Sequence, residues 1–321
     1  MKNSREIKKI AISTIREEAE VLSGLVKSVD DSFVKCVELV YGSKGRVIVT
    51  GIGKSAIIGA KLVATLNSTG TPAVLLHAAD AIHGDLGMIQ KEDIIICLSK
   101  SGETSEIKIL VPLLKLHGSS LIAIVGNRNS YLARQADFVI DATVAKEACP
   151  NNLAPTSSTT AQLVLCDALA VCILECRGFT TSDFAKYHPG GTLGKKLYLK
   201  VSDLYINNQV PKVQIKDTIK HVIFEISSRR LGATAVLDGQ KLAGIITDGD
   251  IRRMLEKNAG IDNFTASDIM NRHPKTIDPG ALVVDALNIM RVNNITQLLV
   301  VGKKKYLGVI HLHDILKEGI L

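Results

Sequence analysis

The chain has 321 residues, a formal net charge of +7, 46% hydrophobic but only 4% aromatic residues, and no tryptophan. An aliphatic chain of this length has room for two or three domains and suits parallel α/β sheets. Basic and acidic residues are interleaved with no basic block or aromatic–basic alternation, and no run of about 20 apolar residues or charged-then-apolar leader is found, so the expectation is a cytoplasmic protein with no nucleic acid and no membrane among its partners.

Residues 4–28 carry a helical stripe of Ile7, Ile10, Ala11, Ile15, Ala19, Leu22 and Leu25, and a second helix is expected over 31–42. Strand signals then alternate with helical ones. Residues 46–51 form a first strand ending in glycine, followed by a helix over 55–66. Further strands are expected at 72–76, 93–98, 121–125 and 138–140, with a long apolar helix over 157–177. This alternation predicts a doubly wound, mainly parallel five-stranded α/β sheet, with ligands at the carboxyl ends of its strands. Six cysteines at 36, 97, 149, 166, 172 and 176 form no C-x-x-C pair and read as free thiols in a reducing compartment.

The most informative segment is Ser99-Lys-Ser-Gly-Glu-Thr-Ser-Glu106. It joins a buried strand to a helix through a glycine-containing turn dense in hydroxyls. Unpaired N–H groups and the positive dipole end at the helix start, with hydroxyl donors beside them, suit an anion, and phosphate fits best. Ser99, Ser101 and Thr104 are the candidate phosphate ligands. Glu103 and Glu106 would repel a phosphate, so a carboxylate here points to proton transfer. The competing structural reading is a capping box on Thr104, which leaves the rest of the hydroxyl cluster unexplained.

Gly51-Ile-Gly53-Lys54-Ser55 lacks the upstream glycine of a phosphate-binding Walker loop, and no carboxylate ends the second strand as a dinucleotide site requires. It is read as a tight turn in which Gly53 and Ser55 help form the site. Lys54 stands where the helix dipole disfavours a cation, which favours a role facing an anion. His77 and His83 are six residues apart, unlike the usual helical metal pair. Glu147 lies close to apolar neighbours where a carboxylate needs a reason, and His188 sits in a Pro-Gly-Gly turn suited to an acid/base group.

Past residue 200 an internal repeat begins. Val201-Ser-Asp-Leu204 matches Ala266-Ser-Asp-Ile269, and residues 242–251 match 306–315. The expected domains are 1–200, 201–262 and 263–321.

Taken together, the Ser99–Glu106 loop, residues 51–55, His77 and His83-Gly-Asp85, Lys146-Glu147-Ala-Cys-Pro150, residues 155–160 and His188-Pro-Gly-Gly191 resemble the sugar isomerase (SIS) domain of D-arabinose-5-phosphate isomerases. The repeat resembles the paired CBS domains of the same family. The resemblance covers essentially the whole chain. It implies interconversion of arabinose 5-phosphate and ribulose 5-phosphate through an enediol, supplying 3-deoxy-D-manno-octulosonate synthesis. It also implies a homotetramer with no required cofactor, and inhibitory zinc contacted by His77. The family's functional residues fall on Lys54, His83, Glu106, Glu147 and His188. Whether Glu106, Glu147 or His188 is the base stays open at this level. In the repeat, Thr247 and Asp250 fit a ribose-holding pair, whereas His311 replaces the hydroxyl before Asp314, so at most one nucleotide site per chain is expected, and a purely structural or oligomerising module is the equal alternative. The alternatives are a non-catalytic sugar-phosphate-sensing SIS protein or an isomerase of another sugar phosphate.

Overall fold

The computed structural model describes residues 1–257, 261 and 263–320. The expected junction between the repeats at 262/263, and the end of the last expected domain at 321, therefore involve positions outside the described residues. The chain separates into two compact units, Met1–Tyr187 and a second that begins at His188.

The first unit opens with α1 (Ser4–Gly24) and α2 (Asp31–Gly42). Then come β1 (Val47–Gly51), α3 (Gly53–Ser68), β2 (Ala73–His77), α4 (Ala78–Ala81), β3 (Ile94–Ser99), α5 (Ser105–Leu116), β4 (Leu121–Val125), α6 (Tyr131–Gln135), β5 (Phe138–Asp141), α7 (Ser157–Cys176) and α8 (Thr181–Tyr187). The five strands pair in parallel in the order β2-β1-β3-β4-β5. All residues of β1, β3 and β4 are buried, as continuous apolar runs require when helices cover both faces. On one face Val47, Val49, Ile96 and Leu98 pack against α2, α3 and α7. On the other, Ile48, Ile95, Cys97 and Val125 pack against α4, α5 and α6. The strand order reverses direction between β1 and β3, so the loops after these two strands diverge and leave a crevice at the switch point.

Among the described residues α7 is the one helix long and apolar enough, by length and mean composition alone, to match a membrane span, although it is no unbroken apolar run: Ser157, Thr159, Gln162, Asp167 and Glu175 interrupt it. Its Ala161, Leu165, Cys166, Leu169, Ala170 and Ile173 are buried in the core beside α2 and α3, which accounts for its composition within a folded domain.

The second unit contains α9 (Thr192–Tyr198), α10 (Val201–Tyr205), β6 (Lys212–Gln214), α11 (Ile219–Arg229), β7 (Ala233–Asp238), β8 (Lys241–Thr247) and α12 (Asp248–Lys257). The second repeat follows as α13 (Ala266–Ile269), β9 (Thr276–Ile277), α14 (Val283–Asn293), β10 (Gln297–Gly302), β11 (Lys305–His311) and α15 (Leu312–Lys317). Each repeat builds a three-stranded sheet, β6-β7-β8 and β9-β10-β11. The two sheets share a small core of Ala233, Ala235, Leu299 and Val309. The leading helices are exchanged. Val201 and Leu204 of α10 join the core of the second repeat, and Ala266 of α13 joins that of the first.

Two equivalent glycines permit this exchange. At Gly244 of β8 a Cβ would lie 2.6 Å from the Asn271 carbonyl oxygen, and at Gly308 of β11 it would lie 2.9 Å from the Tyr205 ring. Gly244→Ala is therefore expected to cost about 1–3 kcal/mol, the usual range for overpacking. Hydrogen-exchange mass spectrometry should show the lost protection at 266–271 as well as in β8. Unchanged protection at 266–271 would show that the close approach is not needed.

Candidate active site

β1 and β3 end side by side, with Gly51 opposite Leu98 in register, so the loops that follow them face one crevice. A cavity of about 240 Å³ lies there, lined by Ile52, Lys54, Ser55, Ser99, Lys100, Ser101, Thr104, Pro155, Ser158 and Thr159. The structure thus brings together Lys54, Ser55, Ser99, Ser101 and Thr104. Gly53 contributes backbone: its φ of +57° lets the chain turn from β1 directly into α3, two residues earlier than the sequence suggested, and sets Lys54 in the first turn.

The hydroxyl loop is held by its own side chains. Ser99 Oγ accepts from Gly102 N at 3.0 Å, and Ser101 Oγ accepts from Glu103 N at 3.2 Å. A hydroxyl that accepts in this way keeps its proton to donate, so both remain available to an anion. Gly102 has φ +67° and lies so close to Ser130 Oγ that a side chain would collide. Thr104 is the N-cap residue of α5 but its side chain makes no cap hydrogen bond, so the capping-box alternative is not realised. Thr104 Oγ1, Thr50 Oγ1 and Gln162 Nε2 are buried polar atoms with no hydrogen-bond partner. Gln162 accepts from Ser55 Oγ at 3.1 Å through its other amide atom.

The two loop carboxylates differ. Glu103 accepts from Tyr131 N at 2.5 Å and pairs with Lys108 Nζ at 2.8 Å, which ties the loop to α6. Glu106 is half-buried in the first turn of α5 and is absent from the cavity lining. Its own backbone N–H and the Ser105 hydroxyl, 3.1 Å away, hold its pKa below the ordinary carboxylate value.

Glu147 has the densest set of partners. Its side chain is 1% exposed. It accepts from Thr156 N at 2.8 Å, Ser158 N at 3.1 Å and Ser158 Oγ at 2.5 Å, and Lys100 Nζ lies 2.6 Å away. Burial alone would raise its pKa. The Lys100 ammonium, the Ser158 hydroxyl and the two amides outweigh burial and hold it at about 2. The carboxylate also supplies the cap that Thr156 does not give to α7. Lys100, Ser158, Thr159 and Gln162 were not singled out from sequence. Their signals existed only in part: Lys100 inside the hydroxyl loop, and the Ser/Thr cluster before a long helix.

The other candidates stand apart from this cavity's lining. His77 ends β2, with Asp80 Oδ2 3.7 Å from its Nδ1. His83 is exposed after α4. Among the described residues no three His, Cys, Asp or Glu side chains gather as a metal site, so His77 and Asp80 offer zinc an incomplete set of donors. His188 begins the second unit, where Gly191 N donates to its carbonyl oxygen at 3.1 Å.

In the repeats, Thr247 N and Oγ1 both donate to Asp250 Oδ2, at 2.8 and 2.7 Å, and Arg253 pairs with Asp250 Oδ1 at 2.6 Å. The equivalent turn has His311 N donating to Asp314 Oδ2 at 3.0 Å, with Asn208 Nδ2 on the same oxygen at 2.6 Å. The His311 ring stacks on His313, 5.0 Å between centroids, and burial followed by the neighbouring His313 pushes its pKa down.

Comparison with known proteins places both units in known families. The SIS domain family matches residues 39–172, and the CBS domain family matches 201–257 and 266–320. The chain is 46% identical over 311 residues to arabinose 5-phosphate isomerase KdsD of Pseudomonas aeruginosa, covering 96% of this chain and 95% of that one. It is 43% identical over 306 residues to the Escherichia coli K12 protein of the same name, covering 95% and 93%. Among solved structures, an Escherichia coli CFT073 protein in complex with arabinose 5-phosphate is 37% identical with a TM-score of 0.57, over 59% of this chain and all of the other.

The state of Glu147 sets a test. Because its native pKa lies below the unfolded value of about 4.3, the ionised group stabilises the fold above that pH, and the contribution fades as pH falls toward 2. Glu147→Gln should melt below the wild type at neutral pH, and the gap should narrow steadily as the pH falls below that unfolded value. A gap independent of pH would mean that packing, not charge, is what Glu147 supplies.

Proposed function

The chain belongs to the arabinose 5-phosphate isomerase family, an SIS domain followed by two CBS domains, and we propose that it interconverts D-arabinose 5-phosphate and D-ribulose 5-phosphate for 3-deoxy-D-manno-octulosonate synthesis. The observation that carries the reading is the crevice between β1 and β3, lined by hydroxyl donors and two lysines and joined to a buried ionised glutamate. The phosphate occupies the hydroxyl loop, held by Ser99, Ser101, Thr104 and the start of α5. With the sugar open, a base takes the proton from C2 while the C1 carbonyl oxygen gains the electron pair. The resulting enediolate receives a proton at C1 and a proton at O1 while O2 gives up its own, which leaves the ketone with its C1 hydroxyl. Every electron stays within the substrate, so no redox cofactor is required.

Glu106 is the base in this scheme. Its lone pairs are less committed than those of Glu147, whose five donors leave a carboxylate too weakly basic to collect a carbon-bound proton. Lys54 stabilises the developing oxyanion. His83 and His188 assist ring opening and hydroxyl proton movement.

The same proposal covers the partners. The exposed Ile7, Ile10, Ile12 and Ile15 of α1 favour self-association into a homotetramer, in which His188 serves a neighbouring subunit's site; sedimentation at single-chain mass would rule this out. The six cysteines are free, as a cytoplasmic protein's would be. Zinc, meeting His77, inhibits rather than assists; a chelator that abolished turnover would reverse that assignment. A nucleotide binds once per chain at Thr247 and Asp250, which calorimetry with AMP and ATP tests directly, two equivalent sites being the refuting result.

For the reaction itself, a coupled assay with arabinose 5-phosphate against ribose and glucose phosphates is decisive. Glu106→Gln should lower kcat about 100-fold or more, the scale of general-base loss. Replacing Ser99 and Ser101 by Ala should raise KM well before it lowers the melting temperature. Near-normal turnover in Glu106→Gln would move the base elsewhere, and sugar-phosphate binding without turnover in the wild type would make the chain a sensor.

A further inference from the structure

We propose that Lys100 is a second cation of the phosphate pocket, contacting the phosphoryl group directly, with Glu147 as its positioning partner. The inference rests on the isomerase reading and adds a binding residue to it.

Lys100 stands in the middle of the hydroxyl loop, between Ser99 and Ser101, and lines the cavity. Its backbone is fixed: Gly126 N donates to its carbonyl oxygen at 3.0 Å, and a Cβ at 126 would sit only 2.8 Å from that oxygen. The ammonium therefore swings from an anchored point, and Glu147 Oε1 holds it at 2.6 Å. The two ends of this pair differ sharply in exposure. The Glu147 side chain is 1% exposed, whereas that of Lys100 is 45% exposed. A lysine ammonium has three donors. The ion pair with Glu147 uses one, and the partly exposed side chain has two more to offer a ligand.

The charge of the ligand calls for such a group. A phosphate monoester carries about −1.5 to −2 at neutral pH. Hydroxyls and amides donate to it without neutralising it, and Lys54 alone leaves a deficit. Two lysines with no anion between them would repel each other, and Glu147 offsets this by pairing with Lys100. When phosphate arrives, Lys100 is shared between two anions without leaving the first. Beside the pocket, Thr104 Oγ1 and Gln162 Nε2 are buried polar atoms without a hydrogen-bond partner, and Gln162 accepts from the lining Ser55 Oγ through its Oε1.

Calorimetric titration of the full-length protein with inorganic phosphate tests this without turnover. Lys100→Met should raise the Kd for phosphate about tenfold or more, the scale of one charge-assisted hydrogen bond. Lys100→Arg should recover most of the affinity. KM for arabinose 5-phosphate should follow the same order, with kcat changing less. Should Lys100→Met not fold, Lys100→Gln gives the same comparison. Unchanged phosphate affinity in the Met or Gln variant overturns the proposal and leaves Lys100 as a tether for Glu147; so does a wild type that binds no phosphate. A wild type that binds phosphate through Lys100 yet fails to convert the sugar refutes the isomerase reading instead.

Discussion

The site depends on one carboxylate that stays ionised while out of water. Glu147 survives this because hydroxyl, amide and ammonium donors surround it. Those donors come from two places, the start of α7 and the loop after β3. Satisfying one buried charge thus fixes the distance between two walls of the pocket. It also closes the N-terminus of α7, the longest helix packed on the sheet. The same saturation that makes Glu147 a good anchor makes it a poor proton acceptor.

The sheet order does the remaining positioning. With β1 and β3 adjacent and their connections leaving on opposite faces, the Gly53 turn and the hydroxyl loop open into one crevice. Within it Ser99 and Ser101 accept from the loop's own amides. The loop is thus held rigid by the acceptor side of each hydroxyl, and the donor side stays uncommitted.

Much of this was legible in the sequence because the relevant signals are local. A buried parallel strand writes itself as a continuous apolar run, and the glycine and serines of the loop follow at once. The apolar run over 121–125 coincides with β4 to the residue for that reason. Where the partners are far apart in the chain, the sequence is silent. Nothing near Glu147 announces that Lys100, 47 residues earlier, will neutralise it, and Gln162 lies in a helix whose other residues are mostly apolar. Two- and three-residue strands such as β6 and β9 have too little period to detect. The long apolar helix over 157–177 was legible for the same local reason, and it packs in the core of the first unit.

The exchanged helices of the second unit have a consequence for how such a repeat can change. Each copy borrows its first helix from the stretch of chain that introduces the other. A substitution at Val201 or Ala266 is therefore felt in the copy to which it does not belong by sequence. Duplicated modules are usually free to drift apart, but these two are bound to drift together. A chain severed between them would yield not two domains but two incomplete halves, each holding the piece the other lacks. The same exchange made between two molecules would be a domain swap.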